Sequence, residues 1–323
     1  MRFVKKKIYV TRQLPDEVME RLHEQFEVKV WNDPDEPVPR NVLLEEVADV
    51  DGLFCMLSET IDEEVFQHAP QLKIVANLAV GYNNIDIDAA KNRNITVTNT
   101  PGVLTETTAD LTFALLMATA RRLVETSEIV RNGEWGAWAP MHFTGQDIHG
   151  KTLGIVGLGR IGEAVAKRAT GFDMNILYHN RSRNEQAEAR IGAKYSEMDD
   201  LLQRADYIVL LLPYSTSNHH LIGKREIDLM KEDAIVINTS RGGLVDEDAL
   251  YEALEQRKIW GAGLDVFEQE PLPKDDRLLT SKYVTVSPHI GSASIATRLQ
   301  MCHLVCDNLI HVLSGDEPLT PVT

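Results

Sequence analysis

Short runs of β-branched and apolar residues alternate with stretches of helical periodicity along most of this chain, and the series occurs twice. In the first series the predicted strands are Lys7–Thr11, Phe26–Trp31, Gly52–Leu57, Lys73–Leu78 and Ile95–Asn99. Between them, helices are predicted near Pro15–Gln25, Arg40–Ala48, Asp62–His68 and Asp86–Asn92. In the second series the predicted strands are Leu153–Leu158, Asn175–His179, Tyr207–Leu212, Ala234–Thr239, Ala262–Val266 and Val284–Ser287. Strands that alternate with helices form parallel sheets covered on both faces. The sequence therefore predicts an α/β fold with two doubly wound sheets, whose ligands bind at the carboxyl ends of the strands.

Length and charge restrict the partners that such a fold can have. A chain of 323 residues is too long for one ordinary core and fits two domains. The net charge of −16 argues against nucleic acid and against anionic membranes, because both would repel the average surface. The most apolar helix candidate, Leu111–Ala120, is too short to span a bilayer and is expected to be buried or to lie at a subunit interface. An anionic small molecule can still bind where a few Arg or Lys side chains override the overall field.

The three cysteines indicate the compartment rather than a chemistry. Cys55, Cys302 and Cys306 have neither metal-ligand nor redox spacing, so no metal site is predicted. Three is an odd number of cysteines, and no apolar signal core follows the basic segment Met1–Lys7. We therefore expect a protein of the reducing cytoplasm.

The segment Gly157-Leu158-Gly159-Arg160-Ile161-Gly162 matches the pattern G-x-G-x-x-G. Alone it is a weak signal, because glycine triplets also occur in ordinary turns. Here the apolar run Leu153–Val156 precedes it and the helical stretch Glu163–Thr170 follows, which is the context that the motif requires. The glycines permit a tight turn and the close approach of a pyrophosphate, and the helix N-terminus presents unpaired N–H groups to it. The motif predicts a dinucleotide site.

The residues after the next predicted strand, Asn175–His179, indicate which dinucleotide binds. A carboxylate is expected there when the adenosine ribose carries a free 2′-hydroxyl, but this chain has Asn180, Arg181 and Ser182. No acid repels a 2′-phosphate, and Arg181 and Ser182 can bind one. A charge-assisted hydrogen bond contributes about 1.5–3 kcal/mol. The sequence predicts a preference for NADP(H), with NAD(H) possible, and leaves a solvated basic turn as the alternative.

Three later strands are each followed by polar chemistry. Arg241 follows Ile235–Thr239, Glu270 lies beyond Ala262–Val266, and His289 follows Val284–Ser287. Arg241 can bind a substrate carboxylate and polarise a keto oxygen. His289 can donate a proton to the new alkoxide, and Glu270 can favour the imidazolium and orient the ring. Each alone could be a surface ion pair or a satisfied polar residue. Together, after a dinucleotide motif, they favour a catalytic set for carbonyl reduction.

The sequence resembles the D-isomer-specific 2-hydroxyacid dehydrogenase family over essentially its whole length. The matching segments are Gly157–Gly162, Asn238–Asp246, Gly263–Pro271 and Ser287–Ser292. The resemblance implies interconversion of a 2-keto acid and its 2-hydroxy acid, with Arg241 for substrate binding, His289 as acid and base and Glu270 as its partner. It also implies a Rossmann cofactor domain, residues 100–290, inserted in a flavodoxin-like substrate domain, residues 1–99 completed by 291–323.

The same resemblance assigns further positions. It implies that Asp265 lies near the nicotinamide and that Thr108 contacts the cofactor from the other side of the cleft. It implies that the backbone N–H groups of Ala79-Val80-Gly81 hold the substrate carboxylate, and that Arg241 and His289 also bind the substrate. The expected cofactor contacts are Gly157, Leu158, Gly159, Arg160, Ile161, Gly162, Asn180, Arg181, Ser182, Pro213, Thr239, Ser240, Arg241, Asp265, His289, Gly291 and Thr108.

Within the family the chain is most similar to the glyoxylate/hydroxypyruvate reductases, through Tyr178–Arg183 and Trp135–Pro140. We therefore expect an NADPH-preferring reductase of small 2-keto acids. The resemblance implies a homodimer through helix Thr105–Arg122 and the following loop, and Trp138 is a candidate for reaching the neighbouring subunit's pocket. Two alternatives stay open: a dehydrogenase of another acid such as 2-ketogluconate, and a corepressor-type protein that binds a dinucleotide to assemble partners.

Overall fold

The structure is a computed structural model that describes residues 5–322, and the chain forms two compact units. The first unit consists of residues 5–104 and 294–322, and the second of residues 105–293. Residues 1–4, which begin the basic segment used above to predict the compartment, lie outside the described residues.

The first unit is built on a parallel sheet with the strand order β2-β1-β3-β4-β5. Its strands are β1 (Lys7–Val10), β2 (Glu27–Val30), β3 (Gly52–Cys55), β4 (Ile74–Asn77) and β5 (Thr96–Thr98). Its helices are α1 (Asp16–Gln25), α2 (Arg40–Glu46), α3 (Glu63–His68), α4 (Ile87–Asn92) and α12 (Ile295–Ser314). Every residue of β3 and β4 is buried, as the continuous apolar runs in these strands predict. The order is that of flavodoxin-like sheets.

The second unit is built on a larger parallel sheet with the order β12-β11-β10-β9-β6-β7-β8. Its strands are β6 (Thr152–Val156), β7 (Asn175–His179), β8 (Lys194–Tyr195), β9 (Tyr207–Leu210), β10 (Ile235–Asn238), β11 (Gly261–Leu264) and β12 (Val284–Val286). Its helices are α5 (Thr105–Ala120), α6 (Leu123–Arg131), α7 (Arg160–Thr170), α8 (Glu185–Ile191), α9 (Met198–Arg204), α10 (Lys224–Asp228) and α11 (Glu247–Glu255). The strand order reverses at β6, which lies between β7 and β9. Such a reversal opens a crevice at the carboxyl ends of the strands, where dinucleotides bind.

The predicted fold class, two doubly wound parallel sheets of flavodoxin-like and Rossmann-type order, is confirmed. The differences are local. The strand predicted to run to Leu158 ends at Val156, because Gly157 has a φ of +105°. The helix predicted to reach Arg122 ends at Ala120, because Arg122 adopts a left-handed φ of +54° and a separate helix, α6, begins after it.

Two structural findings bear on partners. Helix α5 buries one face, including Phe113 and Leu116, against α7 and strands β10 and β11, and exposes Asp110, Ala114 and Met117 on the other. Within residues 5–322 no helix is both long and apolar enough to cross a membrane.

Candidate active site

The glycine-rich turn after β6 has two glycines that the protein itself requires and one that faces open space. A Cβ on Gly157 would lie 2.8 Å from the backbone of Leu211, and one on Gly162 would lie 2.4 Å from the carbonyl oxygen of Gly157. A Cβ on Gly159 would meet no atom within 4 Å. Helix α7 begins at Arg160, the next residue, and no side chain caps its first turn. The turn therefore leaves room and unsatisfied N–H groups for a phosphate, which fits a dinucleotide.

Asn180 braces this turn from the end of β7. Its Oδ1 accepts a hydrogen bond from the N–H of Leu158 at 2.7 Å, and its Nδ2 donates to the Leu158 carbonyl oxygen at 3.3 Å. A carboxylate could make only the first of these bonds, because it has no hydrogen to donate. Besides removing a negative charge, the amide therefore has a structural role that no sequence motif predicted.

The two arginines that follow Asn180 differ in their surroundings. Arg183 binds both carboxylate oxygens of Glu188, at 2.7 and 2.8 Å, and this contact lowers the pKa of Glu188 to about 2. Arg181 and Ser182 are exposed, and neither makes a hydrogen bond or ion pair with any residue between 5 and 322. Of the two guanidinium groups, only that of Arg181 is therefore available to a ligand.

Asp265 is a fully buried carboxylate at the end of β11 that is only half satisfied. Its Oδ1 accepts hydrogen bonds from the Ser287 hydroxyl at 2.6 Å and from the Ile290 N–H at 2.9 Å. Its Oδ2 is buried and has no partner among the described residues. Burial raises the pKa of Asp265, although these hydrogen bonds oppose the shift. Buried oxygens normally have a partner, so this atom indicates a site for a ligand donor such as a carboxamide N–H.

Two of the expected cofactor contacts lie beside this free oxygen. An ideal Cβ on Gly291 would lie 3.4 Å from Asp265 Oδ2 and 3.5 Å from the Thr108 methyl carbon. Thr108 is buried in the first turn of α5, and its carbonyl oxygen accepts from Thr112. Thr112 in turn lies 2.7 Å from the hydroxyl of Thr239. The structure thus brings Asp265, Gly291, Thr108 and Thr239 together, as a dinucleotide pocket requires.

His289 and Glu270 form a direct pair. Nδ1 of His289 lies 2.6 Å from Oε2 of Glu270, while Oε1 of Glu270 accepts from the N–H of Phe267 at 3.0 Å. Burial opposes ionisation of Glu270, but the hydrogen bond from His289 and its charge outweigh burial and hold the pKa of the carboxyl below its usual value. No described residue hydrogen-bonds to Nε2 of His289. The pair therefore presents one oriented imidazole nitrogen for proton transfer.

Arg241 lies in the loop after β10, where local contacts fix its backbone. The Asn238 side chain accepts from the N–H of Ser240 at 3.1 Å and donates to the Arg241 carbonyl oxygen at 2.8 Å. A Cβ on Gly242 would lie 1.8 Å from the Phe267 carbonyl carbon, so only glycine allows this loop to pack there. Burial lowers the pKa of Arg241, and the negative charge of Glu270 opposes that shift. The guanidinium and the His289–Glu270 pair thus lie at the same edge of the second sheet.

The remaining predicted residues of the second unit line the ends of neighbouring strands. The Ser240 hydroxyl donates to the carbonyl oxygen of Leu212, and the Pro213 carbonyl oxygen accepts from Asn218 at 2.9 Å. Arg160 is exposed and Ile161 half-buried at the start of α7. Pro213 and Ser240 lie in the connections that follow β9 and β10, and Arg160 and Ile161 begin the helix that follows the turn after β6.

Ala79, Val80 and Gly81 belong to the first unit and follow β4. All three of their carbonyl oxygens accept hydrogen bonds, from the Thr100 N–H at 2.9 Å, the Asn99 side chain at 2.8 Å and the Asn77 side chain at 2.9 Å respectively. None of their three N–H groups has a partner among the described residues. A loop whose carbonyl groups are all bound and whose amides are all free suits an anion. Asn77 and Asn99 therefore hold this loop in shape, and no sequence motif identified them.

No group of three or more His, Cys, Asp or Glu residues within the described part of the chain is arranged to hold a metal ion.

Comparisons with known proteins agree with this arrangement. The family model for the D-isomer specific 2-hydroxyacid dehydrogenase, NAD binding domain, matches residues 113–291. A glyoxylate reductase of Pyrococcus horikoshii is 50% identical, over 99% of this chain and 96% of its own.

Two solved structures have the same fold. A protein from Thermus thermophilus superposes with a TM-score of 0.92 at 42% identity, over 98% of this chain and 100% of its own. The NADPH-dependent glyoxylate/hydroxypyruvate reductase of Sinorhizobium meliloti, in complex with NADP and malonate, gives a TM-score of 0.85 at 34% identity, over 99% of this chain and 97% of its own. The resemblance noted in the sequence is confirmed. The chain belongs to the D-isomer-specific 2-hydroxyacid dehydrogenases and is an NAD(P)-dependent oxidoreductase.

Proposed function

We propose that this enzyme reduces small 2-keto acids, glyoxylate and hydroxypyruvate foremost, to their 2-hydroxy acids with NADPH. The observation that carries the proposal is the oriented pair of His289 and Glu270 at the same sheet edge as Arg241 and the half-satisfied Asp265. The names of the relatives support the substrate, since the Pyrococcus horikoshii protein is a glyoxylate reductase and the Sinorhizobium meliloti protein reduces glyoxylate and hydroxypyruvate.

The catalytic roles follow from the chemistry of three side chains. Arg241 binds the carboxylate of the keto acid and polarises its keto oxygen, because a partly buried guanidinium is a strong electrostatic partner for both. When bound, the nicotinamide would supply the hydride. Nε2 of His289 donates the proton that the new alkoxide needs, and Glu270 holds Nδ1 so that Nε2 faces outward.

Substrate and cofactor positions are part of the same proposal. The first unit binds the substrate carboxylate on the free amides of Ala79, Val80 and Gly81. The second unit binds the dinucleotide, its pyrophosphate at the first turn of α7 and its nicotinamide carboxamide at Asp265. Arg181 and Ser182 bind the 2′-phosphate, because no residue in the described part of the chain occupies either side chain and no acid precedes them.

We propose a homodimer as the working form. Helix α6 buries none of its residues. Leu123, Val130, Trp135 and Trp138 are 62%, 55%, 66% and 82% exposed respectively, which is a large apolar surface for a monomeric protein.

A substrate panel tests the proposed function. Glyoxylate, hydroxypyruvate, pyruvate and 2-ketogluconate are each offered with NADPH and with NADH, and kcat/KM is measured for every pair. We expect glyoxylate and hydroxypyruvate with NADPH to give the highest values. Faster reduction of 2-ketogluconate would assign another substrate, and binding of NADPH with no reduction of any keto acid would favour a dinucleotide-sensing protein.

A further inference from the structure

The segment Phe267–Glu270 comes shortly after β11 and ends at Glu270. It is here called the 267–270 turn. Glu270 reaches back to the N–H of Phe267 at its start, so the position of the turn sets the position of the carboxylate. The turn also packs against the backbone at Gly242, next to Arg241, at a separation that no side chain would allow. Any movement of the turn would therefore affect both Glu270 and the Arg241 loop.

Two residues from elsewhere in the second unit hold the middle of this turn. Glu247, the first residue of α11, accepts a hydrogen bond from the N–H of Glu268 on Oε1 at 2.8 Å. The side chain of Glu268 bonds through Oε1 to Nε2 of His220 at 2.7 Å. Neither contact is needed to form helix α11, which is capped by Asp246 accepting from the N–H of Ala249.

The surroundings of Glu247 are unusually acidic. The carboxylates of Glu268, Asp276 and Glu270 all face it, and burial is the main reason that the pKa of Glu247 is raised to about 7. Beyond these acids lie His220, paired with Glu268, and His289, paired with Glu270. Either protonation state of Glu247 keeps an oxygen that can accept from the Glu268 N–H.

We propose that Glu247 is a positioning residue, which fixes the 267–270 turn through the amide of Glu268 and so holds Glu270 against His289. This inference rests on the proposed roles of His289 and Glu270 in keto-acid reduction. Glu247 contacts neither of them directly and acts only through the turn. Without its acceptor the Glu268 N–H would lose its partner, and the turn would lose one of its two side-chain anchors.

The chain offers a conservative variant and a matched control. In Glu247→Gln the amide oxygen still accepts from Glu268, whereas in Glu247→Ala nothing replaces it. Asp248 is the next residue of the same helical turn, is also a carboxylic acid and is 85% exposed, with an ion pair to Arg277. Asp248→Ala therefore removes an acid from the start of α11 without touching the 267–270 turn.

The first readout is the kinetics of glyoxylate reduction by the full-length variants with saturating NADPH. We expect Glu247→Ala to lower kcat by about tenfold or more with little change in KM. The kcat of Glu247→Gln should stay within about threefold of the wild-type value, and the kcat of Asp248→Ala should equal the wild-type value.

The second readout needs no turnover. In protein labelled with ¹⁵N-histidine and bound to NADPH, the Nδ1–H resonance of His289, identified by its loss in His289→Asn, reports the bond to Glu270. We expect this resonance to shift or broaden in Glu247→Ala and to stay unchanged in Asp248→Ala and Glu247→Gln.

The outcomes separate this inference from the proposed function. If Glu247→Ala matches Asp248→Ala in kcat and in the His289 resonance, Glu247 does not position the pair. If instead His289→Asn and Arg241→Ala keep wild-type activity, the proposed function fails, and the resonance alone decides whether Glu247 holds the turn.

Discussion

At the scale of single residues, the contact between His289 and Glu270 is expected to hold the imidazole ready for proton transfer. The Glu270 carboxyl has a pKa below its usual value, so it is ionised through the neutral range. Reduction uses the proton on Nε2 of His289, and the carboxylate orients the ring that carries this proton. Glu270→Gln removes the charge from this contact, so kcat for glyoxylate should fall about tenfold or more, from the loss of a charge-assisted bond of about 1.5–3 kcal/mol.

This first prediction has a nearby control. Asp275→Asn removes an exposed carboxylate a few residues away and should leave kcat unchanged. If Glu270→Gln also kept the wild-type kcat, the contact between Glu270 and His289 would not support proton transfer.

The proposed preference for NADPH rests on one side chain. Because Glu188 already binds Arg183, Arg181 is the guanidinium left for the proposed contact with a 2′-phosphate. Arg181→Ala should raise KM for NADPH about tenfold or more and leave KM for NADH nearly unchanged, since a charge-assisted bond contributes about 1.5–3 kcal/mol. The exposed Arg204 on α9 gives a control variant, Arg204→Ala. An equal rise in KM for both dinucleotides would show that Arg181 does not discriminate between them.

The catalytic candidates could be predicted from the sequence, because each is a chemically reactive residue type that comes after a predicted strand. Arg241, Glu270 and His289 were identified in this way, and the structure brings them to one sheet edge. The residues that hold them could not be predicted. Glu247 and Glu268 are 21 positions apart in the sequence, and Asn99 and Val80 are 19 positions apart. Such contacts exist only once the sheets have formed.

At the scale of elements, the glycine-rich turn at the start of α7 has to fold tightly and to leave space for a phosphate. These two requirements can be tested separately. Gly159 faces open space, so Gly159→Ala meets no protein atom and should fold with an unchanged Tm. Its methyl group would occupy the space proposed for the pyrophosphate, so Kd for NADPH should rise at least about tenfold, measured by fluorescence titration. Gly171→Ala, at the other end of the same helix, should change neither quantity, because Gly171 has helical φ and ψ. Unchanged NADPH binding in Gly159→Ala would remove the phosphate from this turn.

The pattern of apolar residues predicted some helices and strands accurately and missed others. Strands β3, β4, β6 and β10 were predicted to within a few residues, because buried parallel strands appear as continuous apolar runs. Strand β8 has only two residues and was not predicted. Two residues separate helix α6 from the end of α5, and α6 was not predicted as a separate helix.

At the scale of the whole molecule, the exposed apolar surface of α6 and the loop with Trp135 and Trp138 predicts self-association. Light scattering at micromolar concentration should give twice the chain mass of 36.2 kDa. Val130→Asp should shift the particle toward the single-chain mass, because burying an unpaired charge is costly. A particle of 36.2 kDa for the wild type would contradict the dimer.

Trp138→Ala should alter KM for the keto acid if this side chain reaches the neighbouring subunit's pocket.

The central claim is that His289 donates the proton in keto-acid reduction by NADPH. The most direct measurement compares kcat/KM for glyoxylate between the wild type and His289→Ala, following NADPH absorbance at fixed pH. General acid catalysis contributes about 10²–10⁴ in rate, so kcat/KM of the variant should fall by at least about a hundredfold. Wild-type activity in His289→Ala, or no glyoxylate reduction by the wild type, would contradict the account.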